Sequence, residues 1–469
     1  MSLIDEFQII SIEHKNKNYL KSVDEIAKEK SKKESPFLLN NNEKKISNIK
    51  EPQKEKSIIN TTWNTITSSF LSVKDYIIYN DSINILSTPI DLNKEKYIKI
   101  LDKSFFPIIN ISNIKKYLKL MIQMTYRTNF FPIQNSKTKE EYNKDSGWGC
   151  MVRSGQMMLS KAILDYKLFS NNNLINIYNS INTEDEFYLM IKDEEINKKK
   201  FETLLLFLDN PISMDDVKGK SDFINYLKIN NNIDNNDIKI IPPFSILNIF
   251  ILGREILNKE PGEWFSDNNL VQIFCSIQLK YKILNNYEFL SFLNGYISKN
   301  TIIKKCFKQI EKCDICDKSN IGCIDGKYYK FEKAGLIFVT VRLGLRNIES
   351  NYLNNFVKLF NIRNNLGIIG GKTNKAFYFI GINPEKKELL YLDPHVNNVA
   401  VKNVEELRIN TNFDTYKIKN IYSLKLSNLS PCFTIGFNFK NFEEFNILMK
   451  DLSNFSNECG QYSFINSGT

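Results

Sequence analysis

An α+β fold is expected for the folded part of this 469-residue chain, and three observations carry the expectation. Apolar residues recur at helical spacing in the N-terminal half, most plainly over Met151–Phe169. β-branched and aromatic runs crowd into the C-terminal third. The chain then closes on one more helical pattern, Phe442–Phe455.

Taken in order, residues 1–95 are rich in Lys, Asn, Ser and Glu with little periodicity, and read as a disordered tail. Within it Trp63 and Tyr76–Tyr79 mark a short ordered piece. The folded body is expected over residues 96–456. Ile114, Tyr117, Leu118, Met121 and Ile122 predict a helix over Ile114–Met124, and Val152, Met157, Met158, Ala162, Ile163, Tyr166 and Phe169 predict the next one. Residues 171–242 are long, polar and Asn-rich, with one helical piece near Phe201–Leu208, and read as an insertion with little commitment to the core. Pro242-Pro243 opens a helix over Phe244–Ile256. Strands are expected at Leu336–Leu345, Leu366–Ile369, Ala376–Ile382, Glu388–Leu392 and Cys432–Phe439, with a helix at Tyr352–Phe360. Residues 457–469 read as a flexible tail.

Hydrophobic residues make up 42% of the chain, enough for a sizeable core. The formal net charge of +10 is spread along the chain and leaves no nucleic-acid footprint, though it suits a weak attraction to anionic membrane surfaces. Met1-Ser2-Leu3-Ile4-Asp5-Glu6 lacks the apolar run of a secretory signal, and Ile246–Leu252 is too short to span a bilayer. A cytoplasmic protein is expected, with its eight cysteines reduced and not forming a disulfide framework.

The chemical signal lies in two short segments far apart. Gly147-Trp148-Gly149-Cys150 runs straight into a predicted helix, and Tyr391-Leu392-Asp393-Pro394-His395 ends a predicted strand. The helix start points its positive dipole end at the Cys150 sulfur, which favours a thiolate, and a backbone N–H there can serve an oxyanion. In an extended segment Asp393 and His395 share a face, and the proline between them restrains both, so the carboxylate can orient the imidazole. Only two histidines occur, and His14 lies in the polar tail, so a histidine-activated cysteine has His395 as its partner. Taken singly, each feature also suits a structural role: a buried Cys beside a packed Trp, or a His capping a strand. The two together supply the thiol, imidazole and carboxylate of a cysteine hydrolase.

Cys306, Cys313, Cys316 and Cys323 form a near-symmetric set, but gaps of six residues on either side of the central pair depart from usual zinc-ribbon spacing. No metal and no cofactor is expected. Gly370–Lys375 between two strands suits a turn, and Trp264 in Pro261-Gly262-Glu263-Trp264-Phe265 suits a core aromatic.

In their order along the chain these residues resemble the autophagins, cysteine proteases of the autophagy pathway. The likeness is carried by Tyr126-Arg127-Thr128-Asn129-Phe130, Gly147–Met157, Arg342-Leu343-Gly344-Leu345, Leu366–Lys372, Tyr378-Phe379-Ile380-Gly381 and Tyr391–His395. The resemblance covers roughly residues 100–165 and 240–450. It implies a papain-like fold with a small accessory subdomain, Cys150 as nucleophile, His395 as base and then acid, and Asp393 as orienter. It gives Tyr126 a hydroxyl in the oxyanion hole. It makes Trp264 and the loop of Gly371, Lys372, Thr373 and Asn374 a gate that admits a glycine-ended tail, and sets Arg342 and Leu345 against the substrate. That substrate would be the ubiquitin-like autophagy modifier (GABARAP-type), trimmed as a precursor and released from phosphatidylethanolamine, with membrane contact made transiently through it. Ser154 stands where some members carry a second cysteine, which speaks against redox control there, and Thr373 replaces a common proline in the gate loop. Phe7 with Ile10, and Tyr462 with Ile465, fit an aromatic-x-x-aliphatic pattern that could add a strand to the modifier. Two alternatives stand beside this reading: a non-catalytic module that holds the modifier, and a papain-like or deubiquitinase-like protease with another ubiquitin-like substrate.

Overall fold

The computed structural model describes residues 89–169, 191–217, 220, 239–311, 321–345, 347–372, 374–409 and 414–468. The expectations for residues 1–88, including Phe7, Ile10, Trp63 and Tyr76–Tyr79, lie outside the described residues.

One twisted sheet organises the described body. In spatial order its main strands are Tyr422–Lys425, Glu388–Leu392, Lys375–Asn383, Asn365–Lys372, Cys432–Phe439, Ala334–Arg342 and Tyr287–Phe292. All neighbours are antiparallel except the last pair. The hairpin Ile98–Ile100/Lys103–Phe105 pairs with Gly381 and Ile382, beyond the stretch of that strand paired to Asn365–Lys372. It comes so close that a Cβ on Gly381 would lie 2.1 Å from the Lys99 carbonyl oxygen, so only glycine fits.

Both faces of the sheet are covered, which is why its strands read as continuous apolar runs. Leu336, Phe338, Tyr378 and Ile380 join the core beneath the helix Cys150–Phe169. Ile337, Val339, Phe377 and Phe379 face the opposite core, closed by Phe445, Leu448 and Leu452 of the helix Phe442–Cys459. The α+β expectation is therefore met, with helix Cys150–Phe169 and strands Glu388–Leu392 and Cys432–Phe439 almost where the sequence places them.

Elsewhere the structure corrects the expectation. The helix anticipated at Ile114–Met124 runs over Pro107–Leu118 instead, with proline in its first turn. The next residues are drawn off the helix by tertiary bonds, Gln123 N–H to the Tyr416 carbonyl at 2.9 Å and Tyr126 N–H to the Pro394 carbonyl at 2.8 Å. Part of the supposed insertion at 171–242 belongs to the core: Leu204, Leu205, Leu206, Phe207 and Leu208 are buried, following the helix Asp193–Leu204. The helix Asp267–Tyr281 and strand Tyr287–Phe292 were not anticipated.

The C-terminal segment is not a free tail. The closing helix extends to Cys459, and Asn466–Gly468 pair in parallel with Tyr296–Ser298. Ile465 is fully buried, while the Tyr462 carbonyl accepts from Asn355 Nδ2 at 2.9 Å and its ring lies edge-on to Tyr352. The aliphatic residue of the Tyr462/Ile465 docking pattern is thus spent on the protein's own core and has no face left for a partner. Ile465→Ala should destabilise the protein by about 2–5 kcal/mol. Urea unfolding measures this, and an unchanged midpoint would mean that the segment is not held as described.

Candidate active site

The site forms where the helix Cys150–Phe169 meets one end of the sheet. Its lower half is a turn made rigid by Asp145. The Asp145 carbonyl accepts from Trp148 N–H at 3.2 Å and Gly149 N–H at 2.8 Å. One carboxylate oxygen accepts from Arg127 N–H and the other from Arg153 Nε, each at 2.6 Å. Gly147 has φ +88°, a conformation suited to glycine, and a Cβ on Gly149 would lie 2.5 Å from Asp145 Oδ2. Both glycines before the cysteine are thereby accounted for by local structure. Trp148 is buried against Phe250 and Tyr142, its rings edge-on to both, and anchors the turn to the helical half.

Arg153, one turn into the same helix, bridges Asp145 and Asp209, with Asp209 3.0 Å away. All three are buried. Burial pushes the Asp145 carboxyl up against the opposing pull of Arg153, and the two aspartates hold the guanidinium charged despite its own burial. Cys150 follows as the first residue of the helix, where backbone N–H groups have no intrahelical acceptor. Its side chain is fully buried among Tyr126, Ala376 and Met151.

The upper half comes from the sheet. Asp393 and His395 follow strand Glu388–Leu392. His395 Nδ1 lies 2.5 Å from Asp393 Oδ1, which also accepts from the His395 backbone N–H at 2.9 Å. Gln123 Nε2 donates to the Asp393 carbonyl at 3.1 Å, and the His395 ring sits between Phe377 and the edge of Tyr126. With Nδ1 committed to Asp393, Nε2 is the ring nitrogen left for the neighbouring Cys150, and it is buried with no hydrogen-bond partner. Burial alone would lower the histidine, but the Asp393 hydrogen bond and the adjacent Cys150 outweigh it and lift the imidazole to about 9. Burial likewise works against the Asp393 carboxylate, yet His395, with a smaller contribution from Lys375, holds it below the usual carboxylate range.

Tyr126 bridges the halves. Its N–H bonds the Pro394 carbonyl at 2.8 Å and its carbonyl accepts from Asn398 N–H at 3.0 Å. Burial, then the charge and hydrogen bonding of Cys150, raise its hydroxyl far above the ordinary phenol value, so it remains a proton donor beside the sulfur. Buried thiol, imidazole, carboxylate and phenol are thus brought together, and the set can carry out acyl transfer through a thioester.

Trp264 is 41% exposed, not a core aromatic, and its Nε1–H donates to the Gly147 carbonyl at 3.1 Å. Gly371 and Lys372 end strand Asn365–Lys372, and Asn374, at φ +60°, belongs to the turn into Lys375–Asn383. Thr373 lies outside the described residues. Ala376 carries this hairpin to Cys150. Arg342 ends its strand opposite Cys432, at the same end of the sheet, and its Nε donates to the Gly344 carbonyl at 3.1 Å. Leu345 is 86% exposed just beyond. Asp145, Asp209 and Gln123 were missed by the sequence reading. The run Leu204–Leu208 ending on Asp209-Asn210-Pro211 was the one signal that an acid there follows a buried segment.

The cysteine set stays apart from this site. Cys306 is buried, and burial pushes its thiol up to about 12, while Cys323 is exposed on strand Ile321–Ile324. Cys313 and Cys316 lie outside the described residues. Among the described residues no helix is long and apolar enough to cross a membrane.

Fold and site together define a papain-like cysteine hydrolase. The family model of the peptidase C54 catalytic domain matches residues 111–451, and the chain belongs to that family, the autophagins. It is similar to the cysteine protease ATG4A of Xenopus laevis, with 24% identity over 80% of this chain and 82% of that protein. It is also similar to the cysteine protease ATG4A of Homo sapiens, at 24% over 78% and 81%, and to the cysteine protease ATG4 of Candida albicans, at 27% over 68% and 54%. It is accordingly an autophagy-related cysteine protease.

Two expectations follow from the site. Arg153→Met should cost about 3–5 kcal/mol, because two buried carboxylates would face each other without a counter-ion; urea unfolding that matches the natural protein would refute the bridging role. The His395 value is raised, so the imidazolium persists below about pH 9 and is lost above it. Activity should therefore fall above about pH 9, and Asp393→Asn should shift that alkaline limb to lower pH while slowing turnover by roughly 10²–10⁴-fold. A pH profile of kcat/KM whose alkaline limb stays in place would show that Asp393 does not set it.

Proposed function

We propose that this protease acts in the cytoplasm on the ubiquitin-like autophagy modifier (GABARAP-type), cutting after its C-terminal glycine. The leaving group is a peptide extension in the precursor and the amine of phosphatidylethanolamine in the lipidated form. The observation that carries this reading is the buried Cys150–His395–Asp393 set, with Tyr126 at the sulfur and Trp264 beside the nucleophile turn.

The Cys150 thiolate attacks the glycine carbonyl carbon, and the oxyanion is held by the Cys150 N–H and the Tyr126 hydroxyl. His395 passes its proton to the departing amine as the C–N bond breaks, leaving a thioester. Water then attacks, His395 takes its proton, and the C–S bond breaks to release a glycine carboxylate and the thiol. Trp264 with the Gly371, Lys372, Thr373 and Asn374 hairpin narrows the entrance, and glycine, lacking a side chain, threads most easily beneath them. Arg342 and Leu345, at the same end of the sheet, contact the body of the modifier, and the Phe7/Ile10 segment docks it further. During cleavage of the lipidated form, transient contact with the membrane is made through the substrate.

An extended, glycine-containing modifier should be cleaved after that glycine by the natural protein and not at all by Cys150→Ala, as followed by intact mass. Tight binding without cleavage by either protein would favour the non-catalytic holding module instead.

A further inference from the structure

A second concavity is lined by none of the catalytic residues. It is a cavity of about 580 Å³ formed where the helices Pro107–Leu118 and Asp193–Leu204 meet residues 417–421 and 90–92. This size suits a bound small molecule. Its floor is aliphatic, made by Ile90, Leu92, Leu118 and Ile196. Its charged lining is one-sided: Lys115, Lys119, Lys200, Lys417 and Lys419 against the single acid Asp193.

Asp193 is already taken by Lys119 at 2.6 Å, and Lys417 reaches Asp414 at 2.5 Å. Lys115, Lys200 and Lys419 have no ion pair among the described residues. Lys200 is the telling one, because only 8% of it is exposed. Burial, then the charges of Lys417 and Lys119, bring it down to about 8, with Asp193 pulling the other way. A desolvated cation facing further cations is costly unless an anion joins it. A lysine stem lying along apolar side chains would explain the burial alone, but not four more lysines converging on the same opening.

We infer that this cavity binds an anionic phospholipid at a membrane surface, with the headgroup phosphate at Lys200 and the start of an acyl chain against Leu118 and Ile196. An aliphatic floor offers nothing to a bare phosphate ion. The surplus of exposed lysines around the rim exceeds what one phosphate needs, and it suits a surface that carries many anions. The site is independent of the proposed cleavage chemistry.

The test is sedimentation of the full chain with substrate-free vesicles, either phosphatidylcholine alone or phosphatidylcholine mixed with phosphatidic acid. The natural protein should favour the anionic vesicles at least tenfold. Lys200→Gln should lose most of that preference, as should the exposed double variant Lys417→Glu with Lys419→Glu. Cleavage of a soluble extended modifier should be unchanged in both. If Lys200→Gln does not fold, the double variant decides. Undiminished vesicle binding by the folded variants would overturn the inference, because bulk charge would then be sufficient. Displacement by inorganic phosphate at ordinary ionic strength would also overturn it, making the cavity a free-phosphate site. Because the vesicles carry no substrate, a failure here leaves the peptidase reading untouched.

Discussion

Arg153 lies between Asp145 and Asp209 at the base of the turn that carries Cys150, and most of the geometry of the candidate site depends on that buried bridge. A buried ion cluster is poor value as a source of stability, since desolvating three charges cancels much of their attraction. What it supplies is position. Asp145 accepts two turn N–H groups on its carbonyl and one from Arg127 on its carboxylate, so fixing its side chain fixes the turn as well. Asp209 in turn comes from the segment after the buried run Leu204–Leu208. A stretch that reads as an insertion with little commitment to the core therefore supports the turn that carries Cys150.

The other half of the site obeys a different constraint. Strand Glu388–Leu392 is flanked on both sides by partners, so the point at which it ends is set by the sheet and not by a loop. Asp393 and His395 emerge there with proline between them, and Tyr126 clamps that segment through two main-chain bonds. The same tyrosine presents its hydroxyl at the sulfur. Thiol and imidazole are thus aligned by backbone, with Tyr126 as the common member of both halves. The raised histidine is the electrostatic result of enclosing a carboxylate, an imidazole and a thiol together away from water.

These two constraints differ in how visible they are in sequence. Cys150 before an apolar helix and Asp393-Pro394-His395 after an apolar strand are legible because periodicity locates the element and chemistry singles out the residue at its end. Strands buried on both faces, such as Cys432–Phe439, are legible as runs. Asp145, Asp209 and Gln123 are single polar residues whose roles exist only after distant segments meet, and no local pattern announces them. The helix Asp267–Tyr281 was hidden by its Asn-rich first turn, and Ile465 by lying in a short polar segment whose burial depends on a strand pairing far away in sequence. The docking pattern there failed for the same reason: four residues specify a motif but not whether the fold has already used them.

The two sides of Cys150 are held by interactions of very different strength. Below Cys150 the turn is held by buried charges, by Gly147 at a positive φ and by Gly149, whose Cβ would strike Asp145. Above it, Trp264 is exposed and attached to the turn by one hydrogen bond, and Asn374 at the hairpin holds a left-handed conformation. A single partly exposed hydrogen bond contributes about 0.5–1.5 kcal/mol, whereas uncoupling the buried bridge costs several. The Cys150 side chain is fully buried in this conformation, so any molecule that reaches the sulfur has to displace something. On these energies the Trp264 side yields before the base does, and the sulfur and the imidazole can keep their relative positions while it moves.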